Sequence, residues 1–508
     1  MRYHTRVLMA ALGLALGAGL TVAPSDARAE AGVFRFAEEV KLVTLDPQVH
    51  TGGGISYLRP VYETLFTLSP KDEVRPFLAT AIKQDGLKVT LTLRKGVSFS
   101  DGTPFDAAAV VANIERGIQK GVLAALKPVA GAAANPDGTV SITLKKPDPS
   151  LARDLTSEAG MMISPRALKD PALDRNPVGT GPYVYDKAAS REGVVRVYTP
   201  NPHYWAPKEI GLKKLEIFEL PDDTARLNAL KTGQIDMGIW LANPQAAILD
   251  RTPGLKLLRN SGGYTYHLII QDRDGKKVPA FADKRVRQAM NYAINRPAYS
   301  RAIDFGLSVP AFQPFPKGSW VHDPKLENRY KFDLEKAKAL MKAAGYAKGF
   351  SFDMPSIPIF QSRLEAIAGF LRDIDITMNI VPVEPGTLAR RSMTTDFPAA
   401  NLVWNSQTDP SYLGSWYVAP DASFNPYHVT PDAALETLLQ DGVQSSDPKV
   451  RVPVYHKLME ALEDQSYLIY VTSTPLLFGV TQAVADNPTV KLRPGEDTPF
   501  FRGIRMDK

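Results

Sequence analysis

Residues 89–117 constrain the fold most, because strand, turn and helix signals follow one another there without interruption. Apolar and polar residues alternate over 89–94, which is the period of a half-buried strand. The turn-forming sequence "SDGT" occupies 100–103. Asp106 then precedes apolar residues at helical spacing, so it is predicted to cap a helix at its N-terminus. A chain in which strands and helices alternate in this way belongs to the mixed α/β or α+β class.

The rest of the chain continues this alternation of short strands and helices, and we find no internal repeat. Asn295 and Asp333 are predicted N-caps of two further helices, and Gly345 is the predicted stop of the second. The strand-like runs are "GVFRFAEE", "KVTLTLRK", "TVSITLKK", "KKLEIFEL", "TYHLIIQD", "FSFDMPSI", "TMNIVPVE", "YLIYVTST" and "TVKLRP".

The N-terminus has the pattern of an export signal. Arg2 and Arg6 precede the apolar run "VLMAALGLALGAGLTVA", and the small-residue motif "ARA" follows at 27–29. We therefore expect a signal peptide over 1–29, cleavage after Ala29 and a periplasmic product. An uncleaved anchor is the alternative, but the apolar run is short for a membrane span of about 20 residues. The two arginines are not adjacent, so a twin-arginine route is not indicated.

Composition excludes several classes of function. The chain has no cysteine, so we expect neither a lipid-attachment thiol nor thiolate metal or redox chemistry. Its net charge of +6 arises from 60 basic and 54 acidic residues, interleaved along the sequence. A nucleic-acid surface would need clusters of one sign, so no nucleic-acid partner is expected.

The sequence also lacks the motifs of known catalytic sites, so we expect a protein that is not an enzyme. The sequence has no G-x-S-x-G elbow, no H-E-x-x-H pair and no complete phosphate loop. Its seven histidines are not spaced as metal ligands, and we expect no cofactor and no metal. A glycosidase-type carboxylate pair stays open, because spacing along the chain does not reveal pairs that folding brings together.

An ordered set of motifs resembles the peptide/nickel/oligopeptide class of extracellular solute-binding proteins, family 5. The motifs are "LTLRKGVSFSDGTPFDAAAVV", "NPVGTGPYVY", "RLNALKTGQIDM", "KRVRQAMNYAINRPAYSRAI" and "FDLEKAKALMKAAGY". They occur in the family's order and cover nearly all of the chain after the leader.

The resemblance implies an α/β, two-lobed periplasmic binding protein fold of type II, in its large cluster C form. Lobe I is expected at 30–262 plus 477–508, with an extra subdomain at about 76–178, and lobe II at 263–476. Two crossing segments would form the hinge. The implied function is capture of short peptides or peptide-like, opine-like solutes by a monomer that delivers them to the permease subunits of an ABC importer. A binder of a metal chelate or a sugar conjugate, or a hydrolase or holdase on the same scaffold, are the alternatives.

The segment "NLVWNSQTDPSYLGSW" at 401–416 is the best candidate for the ligand site in lobe II. The resemblance points to Trp404, Asn405, Gln407, Asp409 and Tyr412. Packing in the core is the alternative for Trp404, and organising a turn before a proline is the alternative for Asp409. Dipeptide-binding relatives carry an acid a few positions after this tryptophan, whereas here the first carboxylate is Asp409. A dipeptide held by its amino terminus at that point is therefore in doubt.

Candidates in the rest of the chain are Gly53 and Gly54, Tyr57, Glu158 and Arg363. The glycines allow a ligand to approach the backbone closely, or they form a plain turn. Glu158 stands where nickel-chelate relatives carry an arginine, so it suits a cationic group, or it is a solvated loop residue. Arg363 is a candidate for a ligand carboxylate, with an exposed helix face as the alternative.

Overall fold

The computed structural model describes residues 30–50, 53–69, 72–239, 241, 243–384, 387–405, 409–492 and 496–506. The predicted signal peptide (1–29) and the candidate Gln407 lie outside these residues. Within them the chain alternates strands and helices throughout. None of the described helices combines the length and the apolar character that a bilayer crossing requires.

The strands are β1 Val33–Glu38, β2 Phe66–Leu68, β3 Val74–Pro76, β4 Ala79–Asp85, β5 Lys88–Leu93, β6 Val129–Ala134, β7 Val140–Leu144, β8 Tyr183–Arg191, β9 Val195–Pro200, β10 Lys214–Glu219, β11 Met237–Ile239, β12 Leu255–Ile270, β13 Val309–Pro310, β14 Phe350–Ser356, β15 Ile376–Pro382, β16 Ala399–Asn405 and β17 Leu468–Thr481.

The helices are α1 Ala107–Lys120, α2 Leu151–Asp154, α3 Asp223–Lys231, α4 Asn243–Leu249, α5 Lys284–Ala293, α6 Arg296–Ile303, α7 Leu334–Ala343, α8 Pro358–Arg372, α9 Leu388–Ser392, α10 Ala433–Asp441, α11 Pro448–Gln465 and α12 Gln482–Ala485. A π-helix spans Leu413–Val418.

The predicted helix caps are confirmed. The carboxylate of Asp106 accepts a hydrogen bond from the Ala109 amide, and Asn295 and Asp333 cap α6 and α7 in the same way. Gly345 follows α7 with φ of +85°, a conformation that favours glycine.

The strand predicted from "TVKLRP" is wrong for residues 489–492, which form turn and coil. The Thr489 amide and hydroxyl both donate to the Asn487 side-chain oxygen, at 2.9 and 2.6 Å. This local hydrogen bonding replaces strand pairing.

Two long strands, β12 and β17, run antiparallel through a nine-stranded mixed sheet with the order β16-β12-β17-β11-β1-β10-β9-β8, in which β13 also pairs with β17. The first half of β12 pairs with the second half of β17, next to β11. The second half of β12 lies between β16 and the first half of β17. The register shifts between Asn260 and Tyr264, so the two halves of the pair meet at an irregular crossing.

Separate hydrophobic cores lie on the two sides of this crossing. One core collects residues of β1, β10, β11 and the end of β17, including Phe34, Phe36, Ile217, Met237 and Phe478. On the other side, α5 and α8 pack with the parallel pair β14-β15 and the start of β17, as shown by Met290, Phe352, Ile367, Ile376 and Val471.

A third core belongs to a small four-stranded sheet, β4-β5-β7-β6, covered by α1. The segment 89–117 supplies its centre, because Val89 and Leu91 of β5 and Val110 and Ile114 of α1 are all fully buried. Leu123 and Ala125, which pack against this third core, line the first cavity described below.

Candidate functional site

A cavity of about 390 Å³ lies beside the crossing of the two long strands. Its walls come from the turn after Gly54, from α2 and the residues that follow it, from the C-terminal segment, from Tyr264 of β12 and from Asp409. Five carboxylates face it against two arginines, so we call it the acidic chamber. The charged residues are Arg59, Arg153, Asp154, Glu158, Asp409, Glu496 and Asp497.

Glu158 is held by partners from the protein itself. The Nδ1 atom of His50 lies 3.2 Å from its Oε1, and the Ser157 hydroxyl donates to its other oxygen. Burial alone would raise the pKa of this carboxyl, but these hydrogen bonds outweigh burial and keep the pKa below its usual range. Glu158 is therefore an ionised wall residue at neutral pH.

Asp409 is also paired within the protein. Two guanidinium nitrogens of Arg451 in α11 donate to its two oxygens at 2.7 and 2.6 Å, and both side chains are buried. Burial opposes ionisation, yet the bonds from Arg451 and the Ser411 amide lower the pKa of Asp409. This pair satisfies both oxygens of Asp409 and anchors the turn at 409–411 to α11.

Asp154 and Asp497 differ, since neither forms a salt bridge among the described residues. Asp154 accepts one hydrogen bond, at 2.8 Å from the Ser150 hydroxyl. Burial raises its pKa to about 7, with a further contribution from the charges of Asp148 and Asp409. Burial likewise raises the pKa of Asp497, despite the nearby Arg59 guanidinium. A cation in the chamber would stabilise the ionised form of both groups.

Arg59 is engaged by the C-terminal segment and balances one of the five chamber carboxylates, Glu496. Its Nη1 donates to Glu496 Oε2 at 3.0 Å, and its guanidinium lies over the ring of Phe500. The other arginine, Arg153, pairs with Asp72.

A second cavity, of about 180 Å³, shares Tyr264 with the acidic chamber. Arg363 is the charged residue on its wall among those the structure describes, so we call it the arginine chamber. Arg363 pairs with the fully buried Asp304 at 2.9 Å and contacts the Tyr299 hydroxyl. The neighbouring Tyr266 hydroxyl is buried and has no hydrogen-bond partner among the described residues.

Trp404 and Tyr412 belong to an aromatic cluster. Their rings stack with centroids 4.6 Å apart, and Trp416 meets Trp404 edge-on at 4.3 Å. Neither side chain is on the wall of the two chambers above. Asn405 ends β16 and its backbone pairs with Tyr264, which brings this strand end to the boundary between the chambers.

Gly53, Gly54 and Tyr57 are not on the wall of the acidic chamber. They belong to the turn that carries Arg59 to it. Gly54 has φ of +92°, and a Cβ there would meet Val40 at 2.9 Å. Tyr57 is fully buried and donates its hydroxyl to the Val40 carbonyl at 3.1 Å. The sequence interpretation of this segment missed Arg59, which the same turn delivers to the chamber.

Further chamber residues escaped the sequence interpretation, among them Arg153, Asp154, Tyr264, Glu496 and Asp497. No local motif marks them. Glu496 and Asp497 reach the cavity because the C-terminal segment returns to the first core, where the Asn260 side chain binds the Glu496 carbonyl at 3.0 Å.

A charged cavity beside the crossing of two long strands in an α/β fold is typical of proteins that capture a solute. The chain belongs to the bacterial extracellular solute-binding proteins, family 5, because the model of that family's middle region matches residues 73–425. The resemblance found in the motifs is thereby confirmed, and the family is one of binding proteins rather than enzymes.

Relatives agree with this assignment. The glutathione-binding protein GsiB of Escherichia coli O1:K1 is 33% identical over 306 residues, which cover 57% of each chain. The match thus spans little more than half the length of that relative.

Solved structures share the fold. HbpA2 from Haemophilus parasuis superposes with a TM-score of 0.82 at 23% identity, covering 93% of this chain and 99% of the other. The periplasmic binding protein DppA from Helicobacter pylori, solved with the peptide STSA, gives a TM-score of 0.73 at 24% identity, covering 94% and 98%. Both likenesses establish the two-lobed architecture.

Proposed function

We propose that this protein is the periplasmic capture component of an ABC importer for short peptides or peptide-like, opine-like solutes. Family membership supports the capture role, and the relatives' names carry the same chemistry, glutathione for GsiB and a peptide for DppA. Export by the leader at 1–29 with cleavage after Ala29, a monomeric state without a lipid anchor, and delivery to inner-membrane permease subunits belong to the same proposal.

Lobe I comprises 30–262 and 477–508, with its subdomain at about 76–178, and lobe II comprises 263–476. The separate cores on either side of the β12–β17 crossing support this division. The register shift between Asn260 and Tyr264 supports a hinge there. A solute that contacts both lobes favours their closed arrangement, because only contacts made in that arrangement shift the equilibrium.

One observation carries the choice of solute: an acidic chamber and a chamber lined by an arginine meet at Tyr264. The acidic chamber offers Asp154 and Asp497 to a cation. The arginine chamber offers an anion the Arg363 guanidinium, whose charge Asp304 partly balances, and the Tyr266 hydroxyl, which has no partner among the described residues. An amino-acid-derived solute carries an ammonium and a carboxylate a few bonds apart. Such a solute would lie across Tyr264 with one charge in each chamber.

The same charges argue against a polycarboxylate metal chelate. Asp409 and Glu496 are balanced by arginines, but the chelate's anionic groups would still meet Asp154, Glu158 and Asp497 in the acidic chamber. Like charges brought together in a cavity of low dielectric repel strongly, so this solute class would bind poorly.

The test compares alanyl-alanine, glutathione and an N-carboxyalkyl amino acid by isothermal titration calorimetry. We expect saturable one-to-one binding of at least one of them. For a solute that binds, N-acetylation should weaken affinity at least tenfold, because it removes the cation that the buried carboxylates require. Equal affinity of the free and acetylated forms would refute ammonium recognition, and appearance of cleavage products would indicate a hydrolase.

Two variants locate the ammonium site. Asp497→Asn and Asp154→Asn should each weaken binding of the free-amino solute at least fivefold and barely change binding of its acetylated form. Asp137→Asn, on an exposed turn of the subdomain, is the matched control and should bind like the wild type.

A further inference from the structure

A third cavity, of about 870 Å³, opens between the subdomain and the opposite lobe. Its walls on one side come from β3, β4 and α2, and on the other from residues 318–320 and the start of α11. The uncharged members of the lining are Val74, Ile82, Gln84, Pro149, Ala152, Gly318, Ser319, Trp320, Ser446 and Pro448. We call it the apolar chamber.

The apolar chamber adjoins the acidic chamber, because Arg153 and Asp409 are on the walls of both. The three cavities therefore follow one another in the order apolar, acidic, arginine. Arg153 and Asp409 mark the first boundary, and Tyr264 marks the second.

Charges in the apolar chamber are paired, whereas Asp154 and Asp497 form no salt bridge with any residue that the structure describes. Arg153 is bound to Asp72, and its Nη1 also donates to the Asp72 carbonyl at 3.1 Å. Arg451 holds Asp409. Glu73 pairs with Arg75 at the rim. A charged group that enters this chamber would lose its hydration and contact only side chains whose charges are already balanced. An apolar group would lose little hydration free energy.

Trp320 gives the chamber an aromatic wall. It is partly buried, and the Arg451 guanidinium lies 5.5 Å from its ring centroid. Its backbone amide lies close enough to the Asp72 carboxyl to oppose the rise that burial causes in the pKa of that group, so the two walls approach each other here. A group placed here contacts both lobes and adds to the preference for the closed arrangement.

We propose that the apolar chamber binds the side chain of the residue that carries the solute's ammonium group, and that it selects a large uncharged side chain. This inference rests on the proposed function. With the ammonium in the middle chamber and the carboxylate towards Arg363, the backbone of the solute occupies the acidic and arginine chambers. The α-carbon next to the ammonium is then the α-carbon nearest to Arg153 and Asp409, which separate the acidic chamber from the apolar chamber. The side chain on this α-carbon therefore enters the apolar chamber.

The experiment uses two dipeptides of equal composition and reversed order, phenylalanyl-alanine and alanyl-phenylalanine. Calorimetry with the wild type should show at least tenfold tighter binding of phenylalanyl-alanine. Ala152→Trp and Ser446→Trp, which fill the chamber from opposite walls, should each reduce this ratio to below threefold. Ser446 is exposed, so its replacement tests the idea even if Ala152→Trp does not fold.

Gln444→Trp is the matched control, since Gln444 is exposed and two residues from Ser446 but outside the chamber lining. It should keep the wild-type ratio. Equal or reversed preference in the wild type, or a preference that persists in both filled variants, would overturn the inference while leaving the proposed function intact. If dipeptides bind in neither order and the other solutes above also fail, the proposed function falls and this inference falls with it.

Discussion

Among single residues, Trp404 combines a packing role with an unused hydrogen-bond donor. Its ring stacks on Tyr412, and its Nε1 is buried without a partner among the described residues. Trp404→Phe keeps a ring against Tyr412 and removes the donor. Because Trp404 lies outside the chamber walls, we expect solute binding within twofold of the wild type. The melting temperature should change little, since the lost packing and the removal of a buried donor offset one another. Trp416→Phe is the control in the same cluster, and weaker solute binding by Trp404→Phe alone would show that the Nε1 atom reaches the solute.

Sequence reasoning found charged residues but not their partners, because pairing arises from tertiary folding. Asp409 was a candidate from its position after Trp404, whereas Arg451 lies 42 residues further along the chain. Glu158 and His50 are 108 residues apart. An acid that looks available for a ligand in the sequence is thus already satisfied in the structure. Asp154 and Asp497, which have no ion-pair partner in the described part of the chain, carry no local sign of this property.

At the scale of elements, local signals predicted helices well. Caps such as Asp106 depend on residues within one turn, so the sequence alone contains the interaction. Strands need partners, and the alternation at 489–492 lacked one. The order of strands in the central sheet also has no local signal, since β1 lies between β10 and β11. The resemblance to a family supplied the two-lobed arrangement, whereas neither the resemblance nor periodicity gave the strand order.

The crossing of β12 and β17 depends on a close backbone approach at Gly263. A Cβ there would lie 2.1 Å from the Thr474 carbonyl oxygen and 2.9 Å from the Leu476 amide nitrogen. Gly263→Ala must push the two strands apart, so we expect a loss of about 2–4 kcal/mol in the free energy of unfolding, within the range of severe overpacking. Urea denaturation measures this loss.

Gly131 in β6 provides the matched control for that substitution, because a Cβ there meets nothing within 4 Å. Gly131→Ala should change the free energy of unfolding by less than about 1 kcal/mol. Equal stabilities of the two variants would show that the strand crossing tolerates a side chain and that its glycine serves another purpose.

On the scale of the whole molecule, buried acids gather around Tyr264 and the acidic chamber. Burial raises the pKa of Glu38 from 4.5 to about 8, and Asp497 adds repulsion. Burial also raises the pKa of Glu39 to about 7, as it does for Asp154. Such a cluster costs stability when every member is ionised. A cationic solute near Asp497 would recover part of that cost, which couples binding to the stability of the fold.

This arrangement predicts that stability falls as pH rises from 5.5 to 8. The folded protein retains protons on Glu38 and its neighbours, whereas the unfolded chain releases them above about 4.5, so each step to higher pH favours unfolding. The lowered pKa values of Glu158 and Asp409 act only in more acidic solution. Differential scanning calorimetry should show a higher melting temperature at pH 5.5. Glu38→Gln, which keeps the bond from Ser56 without a titrating proton, should reduce that difference, whereas Glu115→Gln on the exposed face of α1 should not. An identical pH dependence in Glu38→Gln and the wild type would show that Glu38 is ionised throughout this range and that its burial is offset by other groups.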